Sequence, residues 1–133
     1  MANAGKAIYG ILNAASGVTN ITSTRIYPDT VPQNASFPYV VYQVIGTQPT
    51  DTKDGASRLD VVRFQVDCYS TDYDTTDTLA AAVRTALDRY AGTPTGSGVA
   101  IDKIVFTNQV SGAPDLDLRV FWVSLDFDIR VRL

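Results

Sequence analysis

The most constraining feature of this chain is its last stretch, residues 118–133. There Phe121, Val123, Leu125, Phe127, Ile129 and Val131 alternate with Trp122, Ser124, Asp126, Asp128, Arg130 and Arg132. A strict two-residue period is a β-strand with one face in a core and the other face wetter. At about 3.4 Å per residue the stretch would exceed about 45 Å. That is long for a small domain, so its end is expected to bend or reach into a neighbour. A second strand, from about residue 58 to 69, repeats the pattern. Val62, Phe64, Val66 and Cys68 take one face, and Val61, Arg63, Gln65 and Asp67 the other. Two such strands require a sheet covered on one side only.

Helical spacing supplies the cover. Ile8, Ile11, Leu12 and Ala15 form one stripe over residues 4–15, with Asn3 as a candidate cap and Ser16-Gly17 as the stop. Residues 18–21 read as an irregular connection, and 25–27 as a short strand stopped by Pro28. Pro32 and Pro38 mark 29–38 as a loop. Residues 39–47 form a strand with Tyr39, Val41 and Ile45 on one face and Val40, Tyr42 and Val44 on the other, both at least partly covered. Polar residues 48–57 read as an exposed loop too long for a tight hairpin turn. A main helix spans 74–90, with Asp74 as its N-cap and Leu79, Val83, Ala86, Leu87 and Tyr90 as its apolar stripe, ended by Gly92 and Pro94. Residues 99–110 form a strand whose alternation is imperfect. The expected fold is α+β: an antiparallel or mixed four- to five-stranded sheet with two helices packed on one face, in a single domain over residues 1–133.

Composition removes whole classes of chemistry. The 133 residues include no histidine, one cysteine, and 11 basic against 14 acidic side chains, every acid an aspartate. Without histidine there is no Ser-His-Asp triad, no Cys-His pair and no imidazole metal ligand. Cys68 has no partner for a disulfide or a zinc site, and its place in a strand marks it as a buried thiol. Asp72, Asp74 and Asp77 lack the spacing, glycine and glutamate of a calcium loop and read as helix capping. Gly92, Gly96 and Gly98 lack the phosphate-loop lysine. A formal charge of −3 with no Lys/Arg run argues against tight duplex binding, leaving weak contacts by isolated arginines such as Arg130 and Arg132. No apolar run approaches the roughly 18 residues of a membrane helix, and Met1 to Gly10 lacks the blocks of a secretion signal. No enzyme class, catalytic residue, cofactor or metal site is expected. Trp122, opposite the core-facing residues of the last strand, is a candidate anchor for a protein partner.

The order of several blocks carries a resemblance. A short N-terminal helix is followed by Arg25-Ile26-Tyr27-Pro28 and Phe37-Pro38-Tyr39-Val40-Val41-Tyr42. A polar loop leads to Arg63-Phe64-Gln65-Val66-Asp67-Cys68-Tyr69, then a helix containing Leu79-Ala80-Ala81-Ala82-Val83, then Phe121-Trp122-Val123-Ser124-Leu125-Asp126-Phe127. From about residue 4 to 131 the chain resembles the small tail-completion, or tail-terminator, proteins of long-tailed bacteriophages and prophages. The resemblance implies a non-catalytic virion protein assembled in the bacterial cytoplasm. It implies a ring, usually six-fold, that caps the head-proximal end of the tail tube and meets the head connector. The implied partners are further copies of the chain, the major tail-tube protein, a head-completion or connector protein, and phage DNA in weak, transient contact, with no membrane. Under that resemblance Asp51, Lys53, Asp54 and Arg58 in the polar loop, with Trp122, Arg130 and Arg132, are candidate assembly or channel contacts. The alternatives are a minor head-tail connector or head-closure protein, an unrelated binding module, and a small enzyme using aspartates.

Overall fold

A computed structural model of the chain describes residues 4–49, 59–94, 97–112 and 120–132. In chain order the elements are α1 (Ala4–Ala14), α2 (Ser16–Thr22), β1 (Ile26–Pro28), β2 (Tyr39–Pro49), β3 (Leu59–Ser70), α3 (Tyr73–Leu87), β4 (Ala100–Gly112) and β5 (Phe121–Arg132). The strands form one mixed sheet in the order β1-β2-β3-β5-β4. Only the β1–β2 pair is parallel; the other three pairs are antiparallel.

The last strand of the sequence thus lies inside the sheet. All 12 residues of β5 pair with β3, from Leu59↔Arg132 to Ser70↔Phe121. On its other side β5 pairs with β4 from Ala100↔Arg132 to Gly112↔Trp122. Its length is matched by neighbours of 12 and 13 residues, so it is paired within the chain and has no need to bend away or invade a neighbour.

The apolar residues of β5 and β3 meet the three helices in one core, where Phe64, Phe127, Leu125 and Ile129 are wholly buried. Phe127 is the centre of this layer. It stacks on Phe64 at 5.2 Å and meets the edge of Phe106 at 5.6 Å, arrangements that add about 0.5–1.5 kcal/mol per pair to simple area burial. From α1 come Ile8, Ile11 and Leu12, and from α3 Leu79, Val83 and Leu87. The imperfect alternation of β4 has a physical cause. Register shifts at Asp102 and Thr107 each place an extra residue on β4, and these bulges keep Ile101, Ile104 and Phe106 on the helix side.

Four local expectations change. Residues 18–21 are not irregular: they lie in α2, so three helices cover the sheet, not two. Its β-branched residues give α2 little intrinsic helical preference, but Val18 and Thr22 are fully buried. The hydroxyls of Thr19 and Thr22 donate to the carbonyls of Ala15 and Val18 at 3.3 and 3.2 Å. Strand β1 includes Pro28, tolerated because β1 is an edge strand. Strand β2 runs on to Pro49, so Gln48 belongs to a strand and not to the polar loop. The main helix is capped by Asp72 and not Asp74, and it stops at Leu87. Arg89 has φ 64° just past that end, a left-handed turn that closes the helix and redirects the chain.

At the other end of α3, the Asp72 carboxylate accepts from the Thr75 backbone N–H at 3.0 Å and from its hydroxyl at 2.8 Å. Both bonds favour the ionised form, the side-chain bond most, and hold its pKa below the ordinary 3.8. A lowered folded-state pKa contributes stability above the unfolded value, and that contribution is lost as pH falls through the folded value. Asp72→Ala should therefore lower the melting temperature at pH 7. The gap from the parent should close as the pH falls below 3.8; a gap independent of pH would mean the charge has no part in the cap. Phe127→Ala should cost about 3–5 kcal/mol in urea unfolding, a loss that a chain of ordinary stability barely survives.

Candidate assembly surface

The helices occupy one face of the sheet and leave the second face open. Its side chains follow from register: a residue on the helix side sends its strand neighbours to the open side. Along β5 these are Trp122, Ser124, Asp126, Asp128, Arg130 and Arg132, and along β3 Tyr69, Asp67, Gln65, Arg63 and Val61. The face has three zones.

One end is aromatic. Tyr39, Tyr69 and Trp122 lie side by side in register across β2, β3 and β5. The Tyr39 ring is 5.2 Å from Tyr69, 5.0 Å from Phe37 and 6.1 Å from Tyr27. Burial is the main reason the Tyr39 and Tyr69 hydroxyls titrate above their ordinary 10.0, reinforced by neighbouring acidic groups. They stay protonated, and able to donate, through the neutral range. Trp122 is half-buried, and its indole lies where a side chain on Gly112 would be. Glycine at the end of β4 lets the ring lie across the strand, the arrangement by which an aromatic residue shields a sheet glycine.

The middle zone is acidic and internally bonded. The Asp67 carboxylate accepts from the Ser124 hydroxyl at 2.6 Å and from Gln65 Nε2 at 2.8 Å. At the far end Arg63 lies 3.8 Å from Asp128, and Arg132 Nη2 donates to Asp102 Oδ1 at 3.0 Å. Both pairs are solvent-exposed, so they arrange the surface more than they stabilise it.

The residues singled out from sequence do not form one site. Trp122 shares a face with Arg130 and Arg132, but stands at the opposite end of β5, about 30 Å away at the usual rise per residue. Arg130 is exposed on that face, and Arg132 is engaged by Asp102. Asp51, Lys53, Asp54 and Arg58 lie outside the described residues. Sequence reading missed Phe37 and Tyr27 as partners of the tyrosine row, and missed Gly112 as the seat of Trp122. Their signals were a Phe-Pro step before a tyrosine-rich strand and a glycine closing the strand before a turn.

The surface carries little reactive chemistry. The Cys68 thiol is fully buried, and burial pushes its pKa up, which keeps it protonated and unreactive. Among the described residues, no group of three or more potential metal ligands comes together. A cavity of about 630 Å³ is an open depression between α1 and β2, lined among others by Lys6, Asp29, Tyr42 and Asp60. Among the described residues, no helix is long and apolar enough to cross a membrane.

Among the described residues, a packed α+β core therefore presents a zoned, open sheet face. The profile of the family described as tail completion protein gp17 matches residues 6–132, and the chain belongs to that family. It is a structural, tail-associated virion protein. Its fold is similar to that of a chain in a structure described as the virion of a native gene transfer agent particle. That match has a TM-score of 0.72 at 21% identity, over 96% of this chain and 92% of the other. A second solved chain superposes with a TM-score of 0.60 at 15% identity, over 91% of this chain and 89% of that one. No curated protein matches the sequence.

Trp122 is the only tryptophan, so its emission reports on this surface alone. Gly112→Ala should displace the indole, shift its emission to longer wavelength and lower the melting temperature. An unchanged spectrum would show that the ring does not rest on Gly112.

Proposed function

We propose that this chain forms a closed ring, six-fold in the simplest case, that caps the head-proximal end of a phage-type tail tube and joins it to the head connector. The observation that carries the reading is the family match over residues 6–132. The ring stops addition of tube subunits and leaves a channel for DNA. The subunit's composition suits that work: a charge of −3 with no basic run gives a passing polyanion little to adhere to. It acts without catalysis and assembles in the host cytoplasm before joining the virion.

A cyclic ring needs a heterologous contact, two different patches of one subunit meeting around the circle. The aromatic zone is our candidate for one patch. Tyr39, Tyr69 and Trp122 combine apolar area with polar tips, the residue chemistry enriched at protein interfaces. Asp51, Lys53, Asp54 and Arg58 are assigned to tube-facing or channel-facing contacts, and Arg130 and Arg132 to weak phosphate contact. The mixture of signs in the first group suits transient contact better than retention.

Light scattering on the chromatographed protein should give a species near 86 kDa, about six times 14.4 kDa, whose particles show a central hole in the electron microscope. Trp122→Ala should shift that species toward the monomer; an unaltered ring would remove Trp122 from the contact. Virions made without the chain should accumulate overlong, headless tails. Tails of normal length joined to heads would overturn the proposed role.

A further inference from the structure

The two edges of the sheet are finished differently. On β1 no outward donor is left over. The Ile26 N–H donates to the Thr24 carbonyl at 2.9 Å, Pro28 has no N–H, and the Pro28 carbonyl accepts from the Thr30 N–H at 2.6 Å. On the first half of β4 the chain covers its own edge. Ile101 exchanges two backbone bonds with Gly92 at 2.8 and 2.9 Å. The Ile104 carbonyl accepts from the Arg89 N–H at 2.8 Å, and its N–H donates to the Tyr90 carbonyl at 3.0 Å. The Phe106 N–H donates to the Asp88 carboxylate at 3.2 Å. Residues 88–92, turned by the left-handed Arg89, behave as a short added strand.

That cover ends at Phe106. Beyond the Thr107 bulge, Gln109 faces Leu125 and Ser111 faces Val123. These are the same kind of register positions as Ile104 opposite Ile129 and Phe106 opposite Phe127. The N–H and carbonyl groups of Gln109 and Ser111 therefore point out of the sheet, and neither has a partner among the described residues. Residues 107–111 are all exposed, Val110 to 47%. Segment 107–112 contains no charge and no proline, the devices by which sheets ordinarily blunt an open edge.

The first turns of α3 stand beside this edge and make it a groove. Tyr73, 63% exposed, packs edge-on against Phe121 at 5.8 Å. Tyr73, Thr76 and Asp77 line a notch of about 40 Å³ with Ser111 and Trp122. Asp77 gives the groove a negative flank on the helix side.

We propose that residues 107–112 of β4 are a strand-addition site for an extended, neutral-to-basic segment of another polypeptide, seated between β4 and the start of α3. Such a segment continues the line of residues 88–92, its backbone meeting Gln109 and Ser111. One small apolar side chain fills the notch, and a basic side chain meets Asp77. A second copy is the poorer occupant. Two β4 edges pair only about a two-fold axis and bring two copies of Asp77 together, and the β1 edge has no free donor to offer, since the Ile26 N–H is engaged and Pro28 has none. The inference rests on edge geometry and holds whether or not the chain forms a ring.

The probe is a blocked heptapeptide of alternating valine and threonine with lysine at each end. Its control is the same peptide N-methylated on the residues that face β4. Binding should slow amide hydrogen exchange at Gln109 and Ser111 and change Trp122 emission, and the methylated peptide should do neither. Ser111→Pro removes an outward donor and leaves the bonds to β5 in place; it should weaken binding about tenfold. Asp77→Lys, an exposed change that leaves the core untouched, should weaken it as well. The proposal is overturned by equal binding of the methylated peptide or of both variants, or by no binding up to about 1 mM. Protection of the two amides that rises with protein concentration alone would assign the edge to a second copy and overturn it too.

Discussion

Strand β5 is the structural axis of the protein, because it pairs along all 12 residues with β3 and from Trp122 to Arg132 with β4. Its odd-numbered residues build the core: Leu125, Phe127 and Ile129 are wholly buried, and Phe127 draws aromatic partners from both neighbouring strands. Its even-numbered residues supply the open face from Trp122 to Arg132. A one-residue slip in its pairing would exchange the two sets, placing aspartates among the helices and phenylalanines in water. Burial of one face thus fixes the register that displays the other. Folding and surface presentation are one constraint in this chain.

How much of this was legible in the sequence depended on how far each element obeys a single period. The alternation in β3 and β5, and the stripe of α1, gave both the element and its buried face. The main helix was legible in its body but not at its ends. Asp72 and Asp74 have the same capping chemistry, and Thr75 decides between them by offering both its N–H and its hydroxyl to Asp72. Helix α2 was hidden because Val18, Thr19, Ile21 and Thr22 carry a strand's residue types; burial of Val18 and Thr22 outweighs their preference. Strand β4 was visible but untidy, since two bulges break its period while preserving its inner face.

The surface was legible only in part. The alternation put Trp122, Arg130 and Arg132 on one face, but sequence adjacency in a strand hides distance, and the two ends of β5 are separate places. The aromatic zone needed the pairing of β2 with β3 and of β3 with β5 before Tyr39, Tyr69 and Trp122 became neighbours. Gly112 carries meaning only once Trp122 is seen across it. Family resemblance reached the structural role of the chain more directly than its residues did, because that role is performed by shape and contact. No motif of reactive groups marks a surface of that kind.

The edges of the sheet show the same logic at the level of assembly. A sheet in a protein that must join others in a set order cannot leave every edge available, because free edges pair without discrimination. Here β1 leaves no outward donor free, and the turn at Arg89 lays residues 89–92 along β4 as far as Ile104. Among the described residues, the remaining open stretch is short, lies under the exposed Tyr73, and carries one acidic flank at Asp77. Length limits how many bonds a stray strand can make, while the helix and its charge restrict which side chains can follow the backbone in. Selectivity at such an edge comes from the cover around it, and the left-handed turn at Arg89 sets where that cover stops.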